Sequence, residues 1–180
     1  MNKLFVKSKT IPFQSLLDIQ EDNEAKLIPS QTYTSKKGNS IDNTFRESHS
    51  KVLKPKEYPE ISNELFKFLD IFDGTKDPNK YKLGELEYIE YGVGGKFKKH
   101  RDVLKVKEGQ STRAYSSSTL ISKTDDLEGG ALTIYSSDGY PVDIHLEPGE
   151  TIFFSSDTLH EVKEITKGYR KVLVAWIHKI

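Results

Sequence analysis

The stretch Tyr91–Asp102, YGVGGKFKKHRD, holds a His-x-Asp pair, His100 and Asp102. His160 lies downstream in SDTLHEV, and Arg170 follows ten residues later in KGYRKVLVAW. Two imidazoles, one carboxylate and one guanidinium suit an open, redox-active iron site with a small dicarboxylate docked beside it. Two neutral imidazole nitrogens and a carboxylate oxygen cover one face of an octahedron, and the other positions stay free for substrate and oxygen. In an extended strand residues i and i+2 share a face, so His100 and Asp102 can reach one ion. The arginine suits the second task, because its planar fork pairs with both oxygens of a carboxylate.

Those residues need a scaffold, and the rhythm of the chain changes near Gly84. Ahead of it the pattern is helical or irregular. Phe13, Leu16, Leu17 and Ile19 fall at helical spacing within QSLLDIQEDNEAK. Ile61, Leu65, Phe68, Leu69 and Phe72 form a second apolar stripe over Glu60–Phe72, with Asp73-Gly74 as its stop. The segment 31–43, rich in Ser, Thr, Lys and Gly, reads as an exposed loop. Beyond Gly84 the period is two, with strands expected over 86–91, 97–100, 113–122, 131–135, 141–147, 151–155, 159–165 and 170–177. Thr166-Lys167-Gly168 reads as the turn of a last hairpin that brings His160 opposite about Val174. Strands at such short spacing form a two-sheet jelly roll or a small barrel. The expected organisation is a single domain over 1–180, with a cover over 1–83 and a core over 84–180.

Composition removes several alternatives. The chain has 180 residues and no cysteine, which excludes disulfides, thiolate zinc sites and a cysteine nucleophile. Lys+Arg and Asp+Glu both number 27, so net charge makes no case for nucleic acid. The apolar run Leu4–Val6 is too short for a signal peptide, and no run approaches a membrane span. The expectation is a soluble, cytoplasmic protein without a membrane partner.

With the metal pair in place, a longer pattern emerges: Tyr91-Gly92, Phe97, His100-x-Asp102, then Leu127-Glu128-Gly129-Gly130, Pro148-Gly149, and His160 followed by Arg170. It resembles the 2-oxoglutarate/Fe(II)-dependent dioxygenases, and within them the prolyl 4-hydroxylase and PKHD-type hydroxylase branch. The likeness covers about 84–180, with a weaker echo at Asn43–Ser48, NTFRES. The resemblance implies an α+β, mainly β fold: a double-stranded β-helix (jelly roll) with N-terminal helices packed on one sheet. It implies His100, Asp102 and His160 as catalytic iron ligands and Arg170 as the holder of the distal carboxylate of 2-oxoglutarate. Tyr91 stands where the family places a cosubstrate-contacting tyrosine, and Trp176 where a tryptophan lines that pocket. Fe(II), 2-oxoglutarate and O2 come with the resemblance, and it leaves room for ascorbate. The implied reaction is oxidative decarboxylation to succinate and CO2, coupled to hydroxylation of an unactivated C–H bond. The implied partner is a protein or peptide side chain, with proline the leading candidate; nucleic acid stays open, and oligomeric state is unspecified. There are departures: Ser122-Lys123-Thr124 replaces a Tyr-Leu-Asn-type strand end, Phe97 stands where tyrosine is common, and PKHD relatives carry longer loops around the metal strand.

Plainer readings compete. The glycines of Tyr91–Gly95 fail the dinucleotide fingerprint, because Phe97 takes its third glycine position, and they read as a turn. His49 and His145 read as surface residues. The cluster Lys96, Lys98, Lys99, Arg101, Lys105 and Lys107 reads as a solvated face before a funnel for acidic substrate or nucleic acid. An oxidative nucleic-acid demethylase would usually carry a second arginine six residues after the cosubstrate arginine, where this chain has Trp176. A non-catalytic cupin-type binding module would not need Arg170. The polar loops 103–112 and 31–43 are expected to be mobile without substrate, and at least one to order over the metal when a peptide binds.

Overall fold

The computed structural model describes residues 4–34, 38–74, 78–103 and 112–180. Among them the chain is mainly β, with two α-helices and two principal antiparallel sheets. The larger sheet runs Val6–Ser8, Thr151–Ser155, Thr112–Lys123, Arg170–Lys179, Tyr81–Tyr91, His49–Leu53 and Ile28–Pro29. The smaller runs Pro141–Ile144, Leu132–Tyr135, His160–Val162, Lys96–His100 and Arg46–Glu47.

Arg170–Lys179 shows why the larger sheet lies where it does. Its apolar residues fill both faces, as a strand covered on both sides requires. Val172 and Val174 point into a core shared with the smaller sheet, where Ile89, Leu120, Ile152 and Phe154 meet Leu132, Ile134, Ile144 and Val162. Leu173, Ala175 and Ile177 point the other way and meet the helices. Helix Phe13–Asn23 contributes Leu16 and Ile19 there, and helix Pro59–Asp73 contributes Ile61, Leu65, Phe68 and Leu69. Each such side chain stabilises by about 1.5–3 kcal/mol when fully buried. The second helix begins with Pro59 and ends as expected at Gly74, whose φ of 69° lets its N–H reach Asp70 O at 3.1 Å. The helices therefore cover the outer face of the larger sheet, and the inner face is left for the site.

Three expectations are corrected. The last hairpin does not form: His160–Val162 belongs to the smaller sheet and Arg170–Lys179 to the larger. Ile165–Lys167 pairs instead with Glu128–Gly129, and Gly168 (φ +76°) sits where a Cβ would meet Thr124 Oγ1 at 2.1 Å. The chain thus changes sheets between His160 and Arg170, and these residues belong to opposite walls of the sandwich. Segment 31–43 is not all loop, because Thr32–Thr34 pairs with Gly38–Ser40; residues 35–37 lie outside the described residues. The stretch before Gly84 is more than a cover, since Val6–Ser8, Ile28–Pro29, Arg46–Glu47 and His49–Leu53 join the two sheets.

Candidate active site

Strand pairing brings the two histidines together. His160 is in register with His100, and their ring centroids lie 4.3 Å apart. Asp102 is just past the end of its strand, so i, i+2 alternation alone does not place it. Its backbone N–H and that of Val103 both donate to Ser156 O, at 2.9 and 3.0 Å. The carboxylate then lies between the imidazoles, Oδ1 at 3.5 Å from His100 Nε2 and Oδ2 at 3.5 Å from His160 Nε2. One ligand atom from each of the three residues falls within 4.8 Å of the others.

The far side of each ring sets its chemistry. His100 Nδ1 lies 2.6 Å from Lys98 O, and His160 Nδ1 lies 2.9 Å from Thr158 O. A carbonyl only accepts, so these contacts assign the proton to Nδ1 and leave a lone pair on Nε2, the arrangement of a metal-bound histidine. Two nitrogen lone pairs and a carboxylate converging with no cation between them repel. The donor set therefore fits a divalent metal ion. Burial lowers the His160 pKa, which keeps that imidazole neutral. Burial alone would raise the Asp102 pKa, but positive charge on the two imidazoles outweighs it and holds the carboxyl well below the usual range; with the rings neutral, a cation bound at Nε2 would supply that charge instead. Aromatic rings hold the imidazoles in place. Phe97 stacks on His100 at 3.6 Å between centroids, and Phe154 meets His160 edge-on at 5.0 Å.

Arg170 lines the same cavity, together with Tyr91, Trp176, Leu132 and Val172. Arg170 is paired in register with Tyr91 across two neighbouring strands, and its guanidinium lies 5.8 Å from that ring. Its Nη1 donates to Gly130 O, while its Nε is buried without a partner. Among the described residues no carboxylate pairs with it. A buried cation without a counter-charge costs several kcal/mol, so this one fits an anionic ligand. Burial lowers its pKa, with the Tyr91 hydroxyl opposing. Burial likewise raises the pKa of Tyr91 against the pull of Arg46 and Arg170, so it stays a phenol able to donate. The indole N–H of Trp176 is buried and completes no hydrogen bond; its proximity still helps hold Asp102 ionised, and Arg113 stacks on the ring at 4.1 Å.

Several lining residues escaped the sequence reading. Arg46, from the NTFRES echo, pairs with Glu87 at 3.2 Å inside the cavity and lies over Phe97 at 4.9 Å. Ser116, Ser117 and Ser118 also line it. A run of three serines in an otherwise β-rich segment was the available signal. The described basic residues of the cluster lie at the surface, exposed or half-buried: Lys96 pairs with Glu164, Arg101 with Asp157, and Lys99 lies over Tyr135. Lys105 and Lys107 lie outside the described residues, as does most of the expected lid 103–112. His49 and His145 are exposed.

This constellation lies within a stretch, residues 86–178, that matches the family model of the 2OG-Fe(II) oxygenase superfamily. The match takes in more than half of the chain, and the chain belongs to that superfamily. A PKHD-type hydroxylase of Colwellia psychrerythraea is 35% identical over 89 residues, which is 49% of this chain and 40% of that protein. The chain thus spans less than half the length of such relatives. Among solved structures, a prolyl-4-hydroxylase of Pseudomonas putida superposes with a TM-score of 0.71 at 18% identity, covering 98% of this chain and 93% of that one. The viral collagen prolyl hydroxylase of Paramecium Bursaria Chlorella virus-1, in complex with 2OG, gives 0.69 at 18% identity, covering 99% and 97%. At that identity the likeness speaks for the fold. No helix among the described residues is long and apolar enough to cross a membrane.

Proposed function

We propose that this chain is a 2-oxoglutarate- and Fe(II)-dependent dioxygenase that hydroxylates an unactivated C–H bond on a protein or peptide side chain, with proline the leading candidate. Its scaffold is read as a double-stranded β-helix, a single domain over 1–180; the facing antiparallel sheets and the likeness to prolyl hydroxylase folds support this. One observation carries the functional reading: an open His-Asp-His cluster shares a cavity with a buried arginine that has no carboxylate partner among the described residues.

His100, Asp102 and His160 would hold the iron. Iron and 2-oxoglutarate supply, when bound, the oxidising power that turns C–H and O2 into C–OH as the cosubstrate leaves as succinate and CO2. The chain's own residues do the rest. Arg170 takes the distal carboxylate with its fork, oriented by the Gly130 carbonyl. Tyr91, kept protonated, offers a phenol hydrogen to the same group. Ile89, Leu132, Phe154, Val162 and Val172 wall the cavity and exclude water from the reacting centre. Arg46 and Glu87 add a buried, mutually neutralised pair to the wall.

The test is mass spectrometry on proline-containing peptides incubated aerobically with the protein and Fe(II), with and without 2-oxoglutarate. The expected result is a one-oxygen mass gain matched by succinate, both absent without cosubstrate. Succinate formation without any peptide product, across both peptide and methylated single-stranded nucleic acid substrates, would contradict the substrate class. Gain on nucleic acid alone would favour the demethylase.

A further inference from the structure

Asp102 is held by more than its neighbours in sequence. Ser116, 1% exposed on the central strand Thr112–Lys123, places its Oγ 2.7 Å from Asp102 Oδ2. The same Oγ lies 2.8 Å from the Oγ of Ser156, which is fully buried. A serine hydroxyl has one proton to give, and a metal-binding carboxylate can only accept. The Ser116 proton therefore goes to Asp102, and the contact between the serines must be donated by Ser156. Ser156 is itself pinned: its backbone N–H donates to Ala114 O at 3.0 Å, and its carbonyl accepts from Asp102 and Val103. One residue thus fixes the main chain of the ligand and, through Ser116, one of its two carboxylate oxygens.

On the proposed reading of the centre, we infer that Ser156 and Ser116 are positioning residues. They form a directed relay, Ser156 to Ser116 to Asp102, that occupies Oδ2 and leaves Oδ1 as the single oxygen offered to the metal. The consequence is chemical. A carboxylate free to turn can bind through both oxygens and take a coordination position that the cosubstrate needs. With Oδ2 engaged by a hydroxyl, Asp102 takes one position and two imidazoles take two, so half of an octahedron stays open. Partners of this kind typically change metal affinity 10–100-fold when removed. The relay is built from residues far apart in the chain, joined only where the turn after Thr151–Ser155 meets the central strand.

The experiment uses Co(II) alone as the probe, titrated anaerobically into the full chain and followed by its visible absorption, which reports coordination geometry. Ser116→Ala is expected to weaken Co(II) binding roughly 10–100-fold and to change the spectrum. Ser116→Thr, which keeps the hydroxyl, is expected to restore both. Ser156→Ala leaves Asp102 its donor but frees that donor to rotate, so its loss is expected to be smaller. Thr119→Val is the control. Thr119 shares the strand and bonds Thr151 through a buried hydroxyl pair at 2.7 Å, away from the metal residues. A merely structural role for Ser116 predicts that Ser116→Ala and Thr119→Val behave alike; the relay predicts that only the former moves Co(II) affinity. Wild-type affinity and spectrum in both Ser116→Ala and Ser156→Ala would overturn it. Should Ser116→Ala fail to fold, an unchanged Co(II) titration in Ser156→Ala overturns it alone. Failure of the wild-type chain to bind Co(II) would instead overturn the metal reading on which it rests.

Discussion

The site is assembled from side chains whose protonation is set by where they are buried. Each imidazole gives its Nδ1 hydrogen to a backbone carbonyl, which leaves Nε2 for a metal, and no spacing rule reveals that. His-x-Asp, His160 and Arg170 were legible in the sequence because their residue types are chemically rare and their order is distinctive. Arg46 and Ser116 were marked only faintly, by NTFRES and by the serine run, and Ser156 not at all, because an arginine or serine has the same letter whether it faces solvent or a ligand. Tyr88 carries the same lesson outside the site. It is fully buried, its hydroxyl has no partner, and burial raises its pKa from 10.0 to about 12. Between those values the unfolded chain loses a proton that the folded chain keeps, so stability falls as pH rises through that window. Tyr88→Phe is expected to remove this alkaline loss and, by deleting an unsatisfied buried hydroxyl, to leave the protein as stable or about 1 kcal/mol more stable at neutral pH. Urea melts of both proteins at neutral and alkaline pH measure it; a clear destabilisation at neutral pH would show that the hydroxyl has a partner.

At the scale of elements, both helices were readable from their apolar stripes, and most strands from period-two runs. The pairing was less readable. Sequence proximity argued for a hairpin between His160 and Arg170, but the carbonyl of Glu164 and the backbone at Ile165 are committed to Gly130 and Gly95. Long-range pairing overrode the local turn signal, and it put the candidate metal residues and Arg170 on opposite walls, where a ligand can lie between them. The Arg46–Glu87 pair joins these walls too, linking Arg46–Glu47 in the smaller sheet to Tyr81–Tyr91 in the larger. Both partners are buried, so Glu87→Ala strands a charge and is expected to destabilise by about 3–5 kcal/mol. Replacing both residues with leucine should recover much of that loss. Chemical denaturation of the single and double variants checks it; equal losses in the two would mean that the pair matters through shape, not charge.

Across the described residues, helices close one face of the larger sheet and the smaller sheet closes the other, leaving between the sheets a cavity that all the candidate residues line. On the proposed reading its two halves answer different parts of one ligand set, the candidate metal ligands on one wall and Arg170 on the other. Binding of 2-oxoglutarate should therefore need both. The most direct measurement is anaerobic titration calorimetry of 2-oxoglutarate into the Mn(II)-loaded chain, the metal-free chain, His160→Ala and Arg170→Ala. The account predicts binding to the loaded wild type, little to the metal-free chain or His160→Ala, and a loss of about 2–5 kcal/mol in Arg170→Ala, the cost of leaving a buried charge unpaired. Equal affinity in all four samples would contradict it.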